Sequence, residues 1–308
     1  MKFDDSDQAD SSEVEDRRGS RFPGGRVGAG VGGLGLVGGA VYLVLQVLAS
    51  GGNQTASELT HAIDQARGSA PGYQQPGYPQ QLPAGPSGSC RGVDSVNDAA
   101  KFVVCVETNV QSFWRRRLPE FGAPYQPSKL VLFTDVTPSG CGMASSQTGP
   151  FYCPPDKKVY LDLDFFRELQ QRFHARGGDF AVAYVVAHEY GHHVQDLLGT
   201  ERRMRSMQQA RPDQRNALSV QLELQADCLA GVWGHSAYEA GKVSRQEIAD
   251  ALDAAAAVGD DRIQKEVTGR VRPETFTHGS AASRQKWFTA GMQSGNPDAC
   301  DTFAAGAR

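Results

Sequence analysis

The sequence predicts an α+β domain in which a small sheet lies among helices. Apolar residues recur at helical spacing over much of the second half of the chain, whereas residues 129–135 and 158–164 alternate with a period of two. Turns rich in glycine and proline separate these two strands. Because helices precede and follow the short strands, we expect a mostly helical α+β architecture.

Length and composition are typical of one sizeable globular domain with appendages. The chain has 308 residues, of which 40% are hydrophobic and 21% are charged. A formal net charge of −4, without a long basic run, argues against nucleic-acid binding. The sequence contains no indication of an oligomeric state.

Three segments precede the predicted domain. Residues 1–26 are polar and mixed in charge, without apolar periodicity, so we expect a disordered tail. Residues 27–49 contain no charged residue, and as one transmembrane helix they would be about 34 Å long, enough to cross a bilayer. Residues 50–89 are rich in Gly, Pro, Gln and Ser and are predicted to be a tether. The folded domain is expected over residues 90–308.

The charges around the apolar segment predict its orientation in a membrane. Arginines precede it closely, whereas the following residues begin without charge. A single-pass anchor would therefore have its N-terminus in the cytoplasm and the domain outside. A cleaved signal peptide is the alternative, since Val47-Leu48-Ala49 resembles a processing site, but the long acidic tail is a poor start for one.

The six cysteines all follow the apolar segment, which fits an oxidising compartment outside the cytoplasm. Cys141 and Cys153 bracket a short stretch rich in turn residues, and we expect these two to pair. A cysteine-ligated zinc site is the alternative, but the chain has no Cys-x-x-Cys pair. The sequence therefore predicts disulfides.

The first elements of the domain follow from periodicity and from helix-ending residues. Residues 94–118 are predicted as an amphipathic helix that Pro119 closes. The strands at residues 129–135 and 158–164 come next, and residues 165–176 return to helix. The second strand is also predicted to offer an edge along which an extended peptide could bind.

The next helix is well delimited. Gly177-Gly178 ends the preceding helix, Asp179 is suited to cap a new one, and Gly199 ends it. Two further helices are predicted, at residues 213–238 and 244–258.

The most informative motif, His188-Glu189-Tyr190-Gly191-His192, lies in this delimited helix. Histidines four residues apart lie one turn apart on one face, where both imidazoles can bind one metal ion, here predicted to be Zn²⁺. Glu189 projects beside them and is predicted to be the general base that acts on a zinc-activated water. The alternative is that both histidines are buried polar residues satisfied by hydrogen bonds.

A catalytic zinc requires a third protein ligand. A histidine at position 198 would indicate a metzincin, but that residue is Leu198. Asp196 would lie about 12 Å along an unbroken helix from His188, too far for both to reach one ion. Glu223 is the better candidate because it lies with Asp227 on an otherwise apolar stripe, where carboxylates require partners. Asp227 is predicted to accept the N–H of a ligating histidine. A solvated acidic face is the alternative.

Several segments of the chain resemble one known family, the putative neutral zinc metallopeptidases. The segments that carry the resemblance are His188-Glu189-Tyr190-Gly191-His192-His193-Val194-Gln195, Glu223-Leu224-Gln225-Ala226-Asp227-Cys228-Leu229-Ala230-Gly231-Val232-Trp233, Gly149-Pro150-Phe151-Tyr152-Cys153-Pro154, Val14-Glu15-Asp16-Arg17-Arg18-Gly19 and Thr277-His278-Gly279. The resemblance extends over most of the chain, including the glycine-rich apolar segment. It implies a zincin-like metallopeptidase fold with a glutamate as the third zinc ligand.

Peptide hydrolysis also requires a donor to the developing oxyanion. His278 is the predicted donor, with Tyr190 and Tyr160 as further candidates, and a surface or helix-capping role is the alternative for His278. His193 lies about 100° around the helix from the preceding histidine, so a supporting role is expected for it.

These residues together predict zinc-dependent hydrolysis of peptide bonds in extracytoplasmic proteins or peptides by a membrane-anchored enzyme. One alternative is a membrane-tethered binding module that keeps zinc for stability, although such a site does not require the base Glu189. A zinc hydrolase of a non-peptide amide would use the same residues.

Overall fold

The structure, a computed structural model, describes residues 1–19, 85–173 and 175–304. This part of the chain contains eight α-helices and three small sheets, so the predicted α+β class is confirmed. The predicted membrane helix at residues 27–49 and most of the tether lie outside it. Of the helices within the described ranges, none combines the length and the apolar character that a bilayer crossing needs.

Eight helices form most of the described domain. They are α1 (Ala99–Arg117), α2 (Asp164–Phe173), α3 (Asp179–Leu197), α4 (Thr200–Ala210), α5 (Arg215–Glu239), α6 (Arg245–Ala257), α7 (Asp260–Thr268) and α8 (Ala281–Ser294). The predicted helices correspond to α1, α2, α3, α5 and α6. Helix α1 begins later than predicted, because the carboxylate of Asp98 accepts the N–H of Lys101 and caps the helix there.

The strands are short, and four of them form a central sheet. They are β1 (Gln8–Ala9), β2 (Val14–Asp16), β3 (Gly88–Ser89), β4 (Lys129–Phe133), β5 (Val136–Ser139), β6 (Gly142–Ser145), β7 (Phe151–Cys153) and β8 (Lys158–Asp162). The order of the central sheet is β2-β4-β8-β7, with β4 parallel to β2 and β8 and with β7 antiparallel to β8. β8 therefore has a neighbour on each side, and the prediction that it offers a free edge is wrong. Among the described strands, the two ends of this sheet are β2 and β7.

The disorder predicted for residues 1–26 is wrong for residues 1–19. β1 pairs with β3, and β2 adds to β4 in parallel register. The side chains of Met1, Phe3, Ala9 and Val14 are buried. The polar composition hid this structure, because backbone hydrogen bonds and a few separated apolar side chains hold the segment, without an apolar repeat.

Helix α3 is the centre of the core, and residues 180–195 are all buried. Gly191 lets α5 approach closely, since a Cβ at this position would lie 2.9 Å from the carbonyl oxygen of Ala226. Helices α5 and α8 also approach closely, because a Cβ at Gly291 would lie 2.0 Å from the carbonyl oxygen of Cys228. These glycines bring the polar residues of three helices within reach of one another.

All six cysteines lie in the described ranges and none is free. The bonds are Cys90–Cys105, Cys141–Cys153 and Cys228–Cys300. The predicted pairing of Cys141 with Cys153 is confirmed, and no cysteine remains to ligate a metal. The second bond attaches the β5–β6 hairpin to β7, and the third attaches the C-terminal residues to α5.

Candidate metal centre

Helices α3 and α5 bring three potential metal ligands together. One donor atom each of His188, His192 and Glu223 lies within 4.8 Å of the others. Nε2 of His188 lies 3.2 Å from one carboxylate oxygen of Glu223, and Nε2 of His192 lies 3.6 Å from the other. All three side chains are buried. The structure thus assembles the three residues that the sequence predicts as ligands.

Two buried atoms at this point have no hydrogen-bond partner among the described residues. They are Nε2 of His192 and Oε2 of Glu189. An unsatisfied buried polar atom costs about 1–3 kcal/mol, so both atoms indicate that something binds here. Two imidazole nitrogens and one carboxylate are a common donor set for a catalytic zinc ion, and they leave one coordination position open. The residues therefore fit zinc.

The other nitrogen of each histidine ring is held by an acceptor. Nδ1 of His188 lies 2.9 Å from Oδ1 of Asp227, and Nδ1 of His192 lies 2.8 Å from Oε1 of Gln195. Because these oxygens accept, each Nδ1 carries a proton and each Nε2 presents its lone pair to a metal. The Gln195 amide is itself fixed, since its NH₂ donates to the carbonyl of Leu222 at 2.7 Å. Sequence reasoning predicted the contact of Asp227 but missed that of Gln195.

Besides His188, two other residues hold Asp227 in place through three hydrogen bonds. The hydroxyl of Tyr184 donates to it at 2.6 Å, and the guanidinium of Arg284 donates to both carboxylate oxygens at 2.8 and 2.9 Å. Burial favours the protonated form, but the charge of Arg284 and the hydrogen bonds from His188 and Arg284 outweigh it and hold the pKa of Asp227 at about 2. Asp227 is therefore an ionised acceptor that fixes the orientation of His188.

Glu189 lies beside the histidines with one carboxylate oxygen free. The backbone N–H of Tyr152 in β7 faces its carboxylate and favours the ionised form, while Oε2 has no hydrogen-bond partner among the described residues. Burial raises the pKa of Glu189, and the neighbouring histidines oppose this only in part. A carboxylate with a raised pKa is suited to accept and release a proton near neutral pH.

His278 lies in the loop before α8, held by one carboxylate. Nδ1 of His278 lies 3.2 Å from Oδ1 of Asp260, whose other oxygen accepts the N–H groups of Thr277, His278 and Gly279 at 2.7, 2.7 and 3.0 Å. Burial lowers the pKa of His278, but the carboxylates of Asp260 and Glu223 raise it overall. His278 is therefore within electrostatic range of a predicted metal ligand. Neither Asp260 nor its role was predicted from the sequence.

The structure does not bring the two candidate tyrosines to the metal ligands. The hydroxyl of Tyr190 donates to Glu107 at 3.2 Å, where burial raises the pKa of that carboxyl to about 8. The hydroxyl of Tyr160 donates to Asp156 at 2.6 Å, and its ring stacks on Phe151. Both hydroxyl groups are thus engaged in contacts outside the group formed by the histidines and Glu223.

Two polar residues at the end of α3 support β7 instead of binding the metal. Asp196 accepts the hydroxyl of Tyr152 at 3.0 Å. His193 donates Nε2–H to the carbonyl of Gln126 at 2.6 Å, and its Nδ1 lies 3.1 Å from the same tyrosine hydroxyl. Tyr152 is thereby anchored by its side chain, while its backbone N–H holds Glu189. Sequence reasoning missed Tyr152.

A buried donor set of two histidines and one glutamate, with a second glutamate beside it, is typical of zinc hydrolases. The whole chain agrees with this class, because residues 1–303 match a family described as putative neutral zinc metallopeptidase. The chain belongs to that family.

Its relatives include two bacterial proteins described as uncharacterized. YpfJ of Escherichia coli K12 is 40% identical over 302 residues, which are 96% of each chain. Rv2575 of Mycobacterium tuberculosis H37Rv is 49% identical over 222 residues, which cover 68% of this chain and 73% of the relative. No solved structure matches the chain at a significant level.

Proposed function

We propose that this protein is a zinc peptidase that hydrolyses peptide bonds in extracytoplasmic proteins or peptides. The observation that carries the proposal is the convergence of His188, His192 and Glu223 within 4.8 Å, next to a glutamate that has a free carboxylate oxygen. Membership of a zinc metallopeptidase family supports both the metal and a protein or peptide substrate. The third ligand, on the helix that follows α4, fits a zincin-like arrangement of the glutamate type.

In this proposal each group of the site has a separate task. His188, His192 and Glu223 hold the zinc ion, which when bound supplies a Lewis acid that activates water and polarises the substrate carbonyl. Glu189 accepts the proton of the attacking water and delivers it to the leaving amine. The N–H of Tyr152 faces the Glu189 carboxylate and favours its ionised form, and Asp227 orients the ring of His188.

The β7 edge of the central sheet, which pairs with no further strand among the described residues, supports a peptide substrate. Strand β7 forms this edge, and its residue Tyr152 directs its N–H to Glu189. Extended peptides commonly bind by adding a strand to a sheet edge. A peptide that paired with β7 in this way would run beside Glu189. The bond between Cys141 and Cys153 holds this edge to the β5–β6 hairpin.

The three disulfides support a site of action in an oxidising compartment. Such bonds are rare in proteins of a reducing cytosol. Extracytoplasmic action is therefore part of the proposal. Location is tested by the compartment in which the tagged full-length chain fractionates, and recovery with cytosolic markers would contradict it.

Activity is tested with the purified full-length chain. We expect about one zinc ion per chain, cleavage of members of a random peptide library, loss of cleavage after chelation, and recovery when zinc is added back. A set of non-peptide amides assayed in parallel separates the substrate classes. Bound zinc without cleavage of any peptide would contradict the proposal and favour a zinc-stabilised binding module, whereas cleavage of the non-peptide amides alone would favour a different amide hydrolase.

His278→Gln is expected to lower kcat by about 100-fold with little change in zinc content, because loss of one oxyanion donor has an effect of this size. Asp260→Asn should have a smaller effect in the same direction, since Asp260 holds His278. The kinetic constants of the best library peptide measure both effects. His235→Gln is the matched control, because within the described residues its ring hydrogen-bonds only to the carbonyl of Met292, at 2.8 Å. Equal kcat values for His278→Gln and His235→Gln would exclude His278 as the donor to the oxyanion.

A further inference from the structure

The N-terminal segment, residues 1–19, binds to the same domain that carries the metal centre. Its strand β2 extends the central sheet beside β4, and the N–H of Arg17 donates to the carbonyl of Leu132 at 2.7 Å. Near the start of the segment, Phe3 packs against Phe102 of α1 with ring centroids 5.7 Å apart. Backbone and side-chain contacts along its length thus hold the segment.

Polar contacts fasten the segment at both ends. The N–H of Lys2 donates to the carbonyl of Lys242 at 2.7 Å, and the ammonium of Lys242 lies 2.8 Å from Asp4. At the other end, Glu15 lies 2.6 Å from the ammonium of Lys158 in β8. Partners from α1, β8 and the loop before α6 therefore surround one short segment.

Arg17 connects this segment to the part of the domain that borders Glu189. Its side chain is 5% exposed, and its guanidinium donates to the hydroxyl of Thr137 at 3.0 Å and to the carbonyl of Pro138 at 2.9 Å. These acceptors lie in β5, and the β5–β6 hairpin is joined to β7 through Cys141 and Cys153. The segment thus supports the hairpin that holds the free sheet edge.

Residues 85–89 contact the N-terminal segment directly. Residues 88–89 pair with residues 8–9 in antiparallel register. Gly85 lies directly on Val14, since a Cβ at Gly85 would be 2.6 Å from a methyl carbon of Val14. Arg17 and Gly85, on either side of the residues that the structure does not describe, are therefore both held at β2 and its neighbour β4.

From these contacts we infer that residues 1–19 occupy the same compartment as the metal centre, as a structural part of the catalytic domain. A single membrane crossing at residues 27–49 would separate β2 from β4. The following residues 50–84 contain no second apolar stretch that could cross back. Residues 1–19 and the domain from residue 85 onward therefore lie on one side of any membrane. An extracytoplasmic domain is then incompatible with the predicted cytoplasmic location of the N-terminus. This inference does not depend on peptidase activity.

Labelling of single introduced cysteines in the full-length chain tests whether the two parts lie in the same compartment. Ser12→Cys reports on the N-terminal segment and Asp213→Cys on the domain, since both positions are exposed. All native cysteines are paired, so the wild-type chain measures the background. Intact cells are treated with a membrane-impermeant maleimide. The same treatment of lysed cells gives the full labelling to which each fraction is referred. We expect the two variants to be labelled to the same fraction in intact cells. Labelling of one and protection of the other would overturn the inference.

The contact itself is tested by thermal unfolding of the full-length chain. Arg17→Ala is expected to lower the midpoint by about 4 °C or more, because a buried guanidinium loses its partners in β5. Arg18→Ala is the matched control, since its side chain is one-third exposed and, within the described ranges, pairs only with Asp16. If Arg17→Ala does not fold, Arg17→Lys replaces it. Equal midpoints for the Arg17 and Arg18 variants would show that the segment is not part of the domain.

Discussion

Glu189→Gln is expected to reduce kcat/KM for peptide cleavage by about 1,000-fold and to leave zinc bound, because a positioned general base typically contributes a factor of about 10²–10⁴. The glutamine keeps the size of the side chain and can still accept the N–H of Tyr152, but it cannot take a proton from water. Steady-state kinetics on the best library peptide and the zinc content of the same samples measure the two effects.

Glu168→Gln is the control for this substitution, because Glu168 is an exposed glutamate on α2. The activity of the Glu168→Gln variant should equal that of the wild type. If Glu189→Gln cleaves peptides at the wild-type rate, Glu189 is not the base. If the variant instead loses zinc, Glu189 stabilises the metal site and its proposed role as a proton acceptor is wrong.

Glu223→Ala is expected to weaken zinc binding by more than about 100-fold, since loss even of a residue that supports a metal ligand costs about 10–100-fold in metal affinity. The substitution removes the one carboxylate that lies next to both histidine nitrogens. It also removes the negative charge that balances the ion in a buried site. Competition with a chromophoric chelator measures the affinity, and cleavage should fall in parallel at limiting zinc.

Asp196→Ala separates the two predicted candidates for the third ligand. Asp196 accepts the hydroxyl of Tyr152 and lies outside the group of donors, so its variant should keep wild-type zinc affinity. Tight zinc binding by Glu223→Ala together with loss of zinc from Asp196→Ala would reject Glu223 as a ligand. Circular dichroism of both variants confirms that the fold is retained.

Helices with strong local signals could be predicted from the sequence, and others could not. Helix α3 starts after two glycines and ends before Gly199, and its predicted and observed bounds agree closely. Helix α4 is short and mostly polar, so its sequence has no clear apolar stripe that would predict a helix. Its packing on α5 is visible only in the structure. Helix α8 packs against α5 through small residues such as Gly291, which carry no apolar period.

Strands of the N-terminal segment could not be predicted for a different reason. β2 is only three residues long and contains Glu15 and Asp16, so its sequence has no strand pattern. Its stability comes from a sheet edge more than a hundred residues later in the chain, at Leu130 to Leu132. Pairing of this kind depends on a partner strand, and composition alone therefore predicted disorder.

The sequence by itself determined the local geometry of the site. Helical periodicity places His188 and His192 on one face with Glu189 beside them, because the relation between residues four apart is set by the backbone alone. Only the tertiary structure decided that Glu223 meets these histidines, that Arg284 holds Asp227, and that the N–H of Tyr152 reaches Glu189. Those residues are distant in the chain, and their meeting depends on helix packing and on a sheet edge, which no local pattern specifies.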